Sequence, residues 1–308
     1  VDADSTVSAY AFDASSGKMK LLNSMETGGA VACHVSLSRN ERLLAVANYM
    51  GSVALFRLQS DGRLVERTDL QEHESLGIGV NKERQDGPHA HMALFDAQSK
   101  HLLVPDLGLD RVVTYNVEAV AGKLKAATPL ALPPGSGPRH IALHPGGRLA
   151  YVLNELLSTV VPCHWDAKTC SLTSIGEPIA TVPGAAVGVG GETYCAAIRV
   201  SGDGRFVYVS NRGHCSITVF RVLEDGLLER VSCSFTGPGV QAEERDPCWP
   251  PQDCPRDFAL CDKDQWLIAA NQDSDSLVIF RRDATSGALV QEGSTAECIA
   301  PACVLPLF

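Results

Sequence analysis

The sequence predicts an all-β fold, a β-propeller built from four-stranded antiparallel blades. Three observations lead there. One strand–turn–strand frame recurs along the 308 residues, beginning at Ala32, Pro88, Gly137, Cys195 and Cys254. Its marker positions His34, His91, His140 and Arg199 lie 57, 49 and 59 residues apart. A period near fifty, with four short strands per repeat, suits a blade, since one such sheet buries both faces only against its neighbours. No stretch carries a long amphipathic helical pattern. Leu70–Val80 comes closest, and Gly77 and Gly79 make it a loop.

Each repeat justifies its elements in the same order. In GPRHIALHPGGRLAYVLNELLSTV (137–160), IALH and LAYVLN hold the apolar, β-branched and aromatic residues of strands. HPGGR between them supplies turn angles. A polar link after Asn154 leads to a third strand, and a further Gly-containing turn leads to a fourth. STVSAYAFDASSGKMKLL at the start matches only the second half of the frame, and APACVLPLF at the end only its first strand. The chain reads as a single propeller domain over 1–308, with a Pro- and charge-rich inserted surface loop at about 236–253. The abrupt start without Met suggests processing or an incomplete chain.

Bulk composition narrows the function. A hydrophobic share of 45% with 20% charged residues describes a folded globular chain. A net charge of −10 argues against a nucleic-acid partner, which would need a basic face. Eleven cysteines, an odd number without regular spacing, read as reduced thiols. No apolar run approaches eighteen residues and no leader pattern opens the chain, so a cytoplasmic protein without a membrane partner is expected. No P-loop, G-x-S-x-G or G-x-G-x-x-G occurs. No cofactor is expected. His89-x-His91 would share one face of a strand, but no second His pair or carboxylate at ligand spacing joins it, so no metal is expected either.

In a propeller the first strand of each blade lines a central channel, and residues at its beginning converge. That would gather His89, His91, Arg139, His140, Arg199 and Arg256, with Asn154, Glu155, Asn211 and Arg212 from the ends of second strands. Guanidinium groups around one acid make a pocket for a small anionic substrate with an acid/base pair. The plainer reading of each residue is structural: strand-end Asn residues form turns, and Glu155 and Asp257 could be permanent salt-bridge partners. Arg139, Arg199 and Arg256 are read as equivalent positions that would repel one another without an anion.

The residues also resemble a known family. ERQDGPHAH (83–91), GPRHIALHP (137–145), NEL (154–156), DGRFVYVSNRGHCSITVF (203–220), PRDFAL (255–260) and AANQDSDSLVIF (269–280) resemble the seven-bladed propeller lactonases. That family holds the propeller-type 6-phosphogluconolactonase and carboxy-cis,cis-muconate cyclase. The resemblance implies hydrolysis of a sugar lactone, 6-phosphoglucono-δ-lactone first among them, in the pentose phosphate pathway. It implies His91, Arg139, Glu155 and Arg212 as catalytic residues. His89, His140, Arg199, Arg256, Asn154 and Asn211 would bind substrate. Lactone-forming cycloisomerisation of a muconate and a non-catalytic binding scaffold are the alternatives. One departure stands out: the family's usual Glu-Ile-His is Ala197-Ile198-Arg199 here.

Overall fold

The computed structural model describes residues 4–182, 193–237, 254–293 and 295–307. Most of the expected inserted loop at 236–253 lies outside the described residues. By internal contacts the chain forms two compact units, residues 1–141 with 165–172, and residues 142–164 with 173–308.

Among the described residues all regular structure is β. A hairpin of β1 (Thr6–Asp13) and β2 (Lys18–Glu26) comes first. A four-stranded sheet follows in sequential order: β3 (Ala32–Leu37), β4 (Leu43–Asn48), β5 (Ser52–Leu58) and β6 (Leu64–Glu72). The next holds β7 (Leu94–Phe95), β8 (His101–Asp106), β9 (Arg111–Glu118) and β10 (Lys123–Ala126), with β11 (Leu130–Ala131) also on β9. The same plan gives β12 (Pro138–Leu143), β13 (Leu149–Asn154), β14 (Thr159–Asp166) and β15 (Ser171–Ser174), with β16 (Ile179–Ala180) on β14. Then come β17 (Tyr194–Val200), β18 (Phe206–Arg212), β19 (Ser216–Val222) and β20 (Leu228–Phe235). Last are β21 (Pro255–Cys261), β22 (Trp266–Asn271), β23 (Ser276–Arg282) and β24 (Leu289–Gln291), with β25 (Ala296–Glu297) on β23. The segment 73–80 is a loop, as its glycines require.

Why these runs are strands shows in where alternate residues go. Leu43, Ala45 and Ala47 of β4 join one apolar cluster with β8 and β9. Leu44 and Val46, pointing the other way, join a second with Val7, Ala9 and Met25 of the hairpin. β18 behaves alike: Phe206 and Tyr208 pack with β22 and β23, while Val207 and Val209 pack with Tyr151 and Leu153 of β13. Side chains alternate at period two, so a strand covered on both faces reads as a continuous apolar run.

The middle strands end in a repeated device. Asn48 Nδ2 donates to Ser52 Oγ (3.0 Å), Asn154 Nδ2 to Thr159 Oγ1 (3.0 Å), Asn211 Nδ2 to Ser216 Oγ (3.1 Å) and Asn271 Nδ2 to Ser276 Oγ (3.3 Å). All four asparagines are fully buried. Each amide ties the strand end to the start of the next strand across the turn.

First strands carry bulges: between Ala32 and His34, Cys195 and Ile198, and Pro255 and Asp257. A bulge bends the strand and re-aims side chains. The register corrects one expectation. Arg256 sits inside its bulge, whereas Arg199 lies beyond the bulge of β17 and pairs with Tyr208, three residues before Asn211. The bulge of β17 holds Ala196 and Ala197 instead. Arg199 is therefore not equivalent to Arg256, because the bulge adds residues that counting along the sequence does not register.

Candidate functional site

In the first unit the segment 83–91 is laid into the turn after β8. Gln85 Nε2 donates to Leu107 O (2.9 Å) and to Asp110 Oδ1 (2.8 Å). The backbones lie so close that a Cβ on Gly108 would collide with the Gly87 carbonyl oxygen. Beyond this loop His91 N donates to Pro105 O (3.0 Å), and Leu107 N to His89 O (2.9 Å). Both histidines are buried.

A layer of rings results. His89 stacks on Tyr49 with centroids 4.5 Å apart, and His91 meets the same tyrosine edge-on at 5.5 Å. His91 and His140 are edge to face at 5.7 Å, as are His34 and His140. Arg139 Nη1 donates to His140 Nε2 (3.2 Å), and Arg139 is buried. This unit thus brings four expected residues together: His89, His91, Arg139 and His140. His89 is the most committed to structure, its Nδ1 3.1 Å from Tyr49 O and its Nε2 2.8 Å from Asp86 Oδ1. The His89 ring in turn holds the Asp86 carboxyl below the usual carboxylate range.

The second unit supplies the acid. Glu155, 1% exposed, forms an ion pair with Arg212 (Nη2–Oε2 2.9 Å), and the same Nη2 donates to Cys195 O (3.0 Å). Burial pushes the Cys195 thiol well up, leaving a neutral donor 3.5 Å from Asn211 Oδ1. The Cys254 thiol is pushed up to about 11 by burial and Asp273, against the opposing pull of Arg212 and Arg256. Arg199 pairs instead with Asp257 (2.9 Å) and lies over the Phe258 ring at 5.8 Å. Asn154 and Asn211 use their amides to tie turns, as described above.

Sequence reasoning missed Tyr49 and His73. Tyr49 directly follows the strand-end Asn48, a position that could have flagged it. His73 meets Asp106 across 33 residues of chain, and nothing local signals that encounter. Among the described residues, no group of three or more His, Cys, Asp or Glu side chains is arranged to hold a metal ion.

Sheets of this order, packed face to face with their neighbours within each unit, define the β-propeller class of fold. The family profile "Lactonase, 7-bladed beta-propeller" matches residues 1–306. The chain belongs to that lactonase family. It is 34% identical to the 6-phosphogluconolactonase of Bacillus subtilis, over 98% of this chain and 81% of that protein. Among solved structures, it resembles the periplasmic gluconolactonase of Pseudomonas aeruginosa at 28% identity and TM-score 0.83, covering 98% of this chain and 80% of that one. A Lactobacillus plantarum protein aligns at 31% identity and TM-score 0.84, covering 96% and 80%.

Proposed function

We propose that this lactonase hydrolyses 6-phosphoglucono-δ-lactone by metal-free acid/base chemistry. The observation that carries the reading is the ion pair between the buried Glu155 carboxylate and the partly exposed Arg212 guanidinium. Desolvating a carboxylate is costly unless an opposite charge compensates it, and Arg212 supplies that charge beside Glu155. An ion-paired carboxylate accepts a proton rather than giving one, so Glu155 is the general base. Arg212 orients it.

The remaining roles are assigned to the residues that the family resemblance implies. Glu155 takes a proton from water as the water oxygen bonds to the lactone carbonyl carbon. Arg139 stabilises the negative charge that develops on the carbonyl oxygen. His91 gives its proton to the ring oxygen as the carbon–oxygen ring bond breaks. His140, hydrogen-bonded to Arg139, aligns that guanidinium. Arg256 is the candidate for the phosphate. Arg199 is a weaker one, since Asp257 already occupies a face of its guanidinium.

The decisive experiment measures lactone consumption above spontaneous hydrolysis by purified protein, on the 6-phosphorylated and the unphosphorylated lactone. Glu155→Gln and Arg139→Ala are each expected to lower kcat by about 10²–10⁴-fold. Equal rates for wild type and both variants remove the site. A preference for the unphosphorylated lactone removes the phosphate assignment and leaves the chemistry.

A further inference from the structure

Behind the histidine layer of the first unit lies a buried pair that the proposed reaction does not use. Asp106, the last residue of β8, stands where the other complete middle strands described above end in asparagine or, in β18, have it next to last. Its side chain is fully buried. Asp106 Oδ1 accepts from three backbone N–H groups: His89 (2.7 Å), Gly108 (3.1 Å) and Leu109 (3.1 Å). Its Oδ2 is 2.5 Å from His73 Nδ1, and the His73 side chain is 2% exposed. The His73 ring stacks against Tyr115 at 6.3 Å, and the His73 backbone N–H donates to Gly51 O (2.8 Å). Burial, then the charges of Asp106 and Asp69, push the Tyr115 phenol far up, so it stays a neutral wall.

An asparagine here would tie the turn as Asn48 does, with a Ser or Thr opposite. Arg111 stands at that place in β9, facing Asp106 in register. The carboxylate instead reaches across to the segment bearing His89 and His91. We propose that Asp106, clamped by His73, is a positioning residue for His91. Oδ1 holds the His89 backbone, Ala90 bridges to Asp106, and His91 follows directly. With the Oδ2 clamp in place the carboxylate has one orientation, so the segment carrying His91 has one as well. A carboxylate free to rotate would let His91 drift, and a misplacement near one ångström can cost about a hundredfold in rate.

This rests on the proposed role of His91, and the experiment separates the two. His73→Phe keeps the ring against Tyr115 and removes the donor to Asp106. His73→Asn restores a donor. Each is compared with wild type by thermal melting, by kcat and KM on the phospholactone, and by the ¹H–¹⁵N signals of the His91 imidazole, assigned through His91→Gln. The expected result is that His73→Phe shifts the His91 signals and lowers kcat roughly ten- to hundredfold with KM nearly constant. His73→Asn returns both toward wild type. A folded His73→Phe with unmoved His91 signals and unchanged kcat overturns the proposal. Should His73→Phe not fold, Asp106→Asn, which keeps the Oδ1 acceptor, carries the same readouts. A His91→Gln enzyme as fast as wild type would remove the catalytic reading, while the imidazole signals still decide whether His73 and Asp106 place His91.

Discussion

Single residues show how a neighbouring charge alters chemistry that sequence alone would misjudge. Cys303 is exposed, and an exposed thiol normally reacts with alkylating agents. The residue as a whole is exposed, but desolvation of its sulfur by close neighbours, followed by the charge and hydrogen bond of Asp257, pushes its pKa up to about 11. Asp257 is itself fixed by Arg199 at 2.9 Å and by the N–H of Val304 at 3.0 Å. At pH 8 a thiol of pKa near 11 holds roughly two-hundredfold less thiolate than one near 8.5. Alkylation of Cys303, followed by mass spectrometry, is expected to be slower than that of a simple thiol by about that factor, and Asp257→Asn to accelerate it. Equal rates in both proteins would mean that Asp257 does not act on the thiol. Glu155, Arg139 and His91 were visible in the sequence because the family motifs surround them. Arg199 looked equivalent to Arg256 because residue counting cannot see a bulge.

At the scale of elements, turns carry most of the polar chemistry. The link between β17 and β18 is tied by Asp203. Its Oδ1 takes hydrogen bonds from Ser201 Oγ (2.5 Å) and Arg205 N (3.0 Å), and its Oδ2 one from Arg282 Nη2 (3.0 Å). Arg282 reaches there from β23, sandwiched over Phe206 at 5.3 Å and Tyr208 at 6.0 Å. Burial works against the Asp203 carboxylate, but these partners outweigh it and hold its pKa below the ordinary value. The sign follows: the native state favours the charged form, so the stabilisation is complete above about pH 4 and fades as pH falls through the lowered native value. Asp203→Asn is expected to melt lower than wild type at pH 7, with the gap narrowing toward pH 3. A gap constant across that range would show that the charge contributes nothing. Because the Asp203 side chain is 37% exposed, the effect is small, about 1 kcal/mol or less. The strand-end asparagines were legible as turn formers, since Asx side chains favour that use. Their serine and threonine partners were legible only once the register was known.

Across the whole molecule, stability depends on sheets that no single repeat could bury. Phe220 of β19 is fully buried in the cluster shared with β13 and β18. Phe220→Ala is expected to cost about 3–5 kcal/mol of unfolding free energy, from lost burial plus the cavity left behind. Val231→Ala on β20, at a residue 37% exposed, is expected to change it by about 0.5 kcal/mol or less. Denaturant titration checks both, and similar costs would mean that the cluster is not the source of stability. The chain spans about four fifths of the relatives named above.

The sequence by itself determined the all-β class and the repeat of near fifty residues, because apolar alternation and turn chemistry are local and recur in every repeat; the lactonase family was legible only through the resemblance of particular motifs. Glu155 and Arg212 were visible as separate residues. Their ion pair, the Arg199–Asp257 bond, the layer of rings around Tyr49 and the His73–Asp106 clamp were decided only by tertiary structure. Each joins groups tens of residues apart, and their distance is set by bulges and sheet packing rather than by anything adjacent to them along the chain.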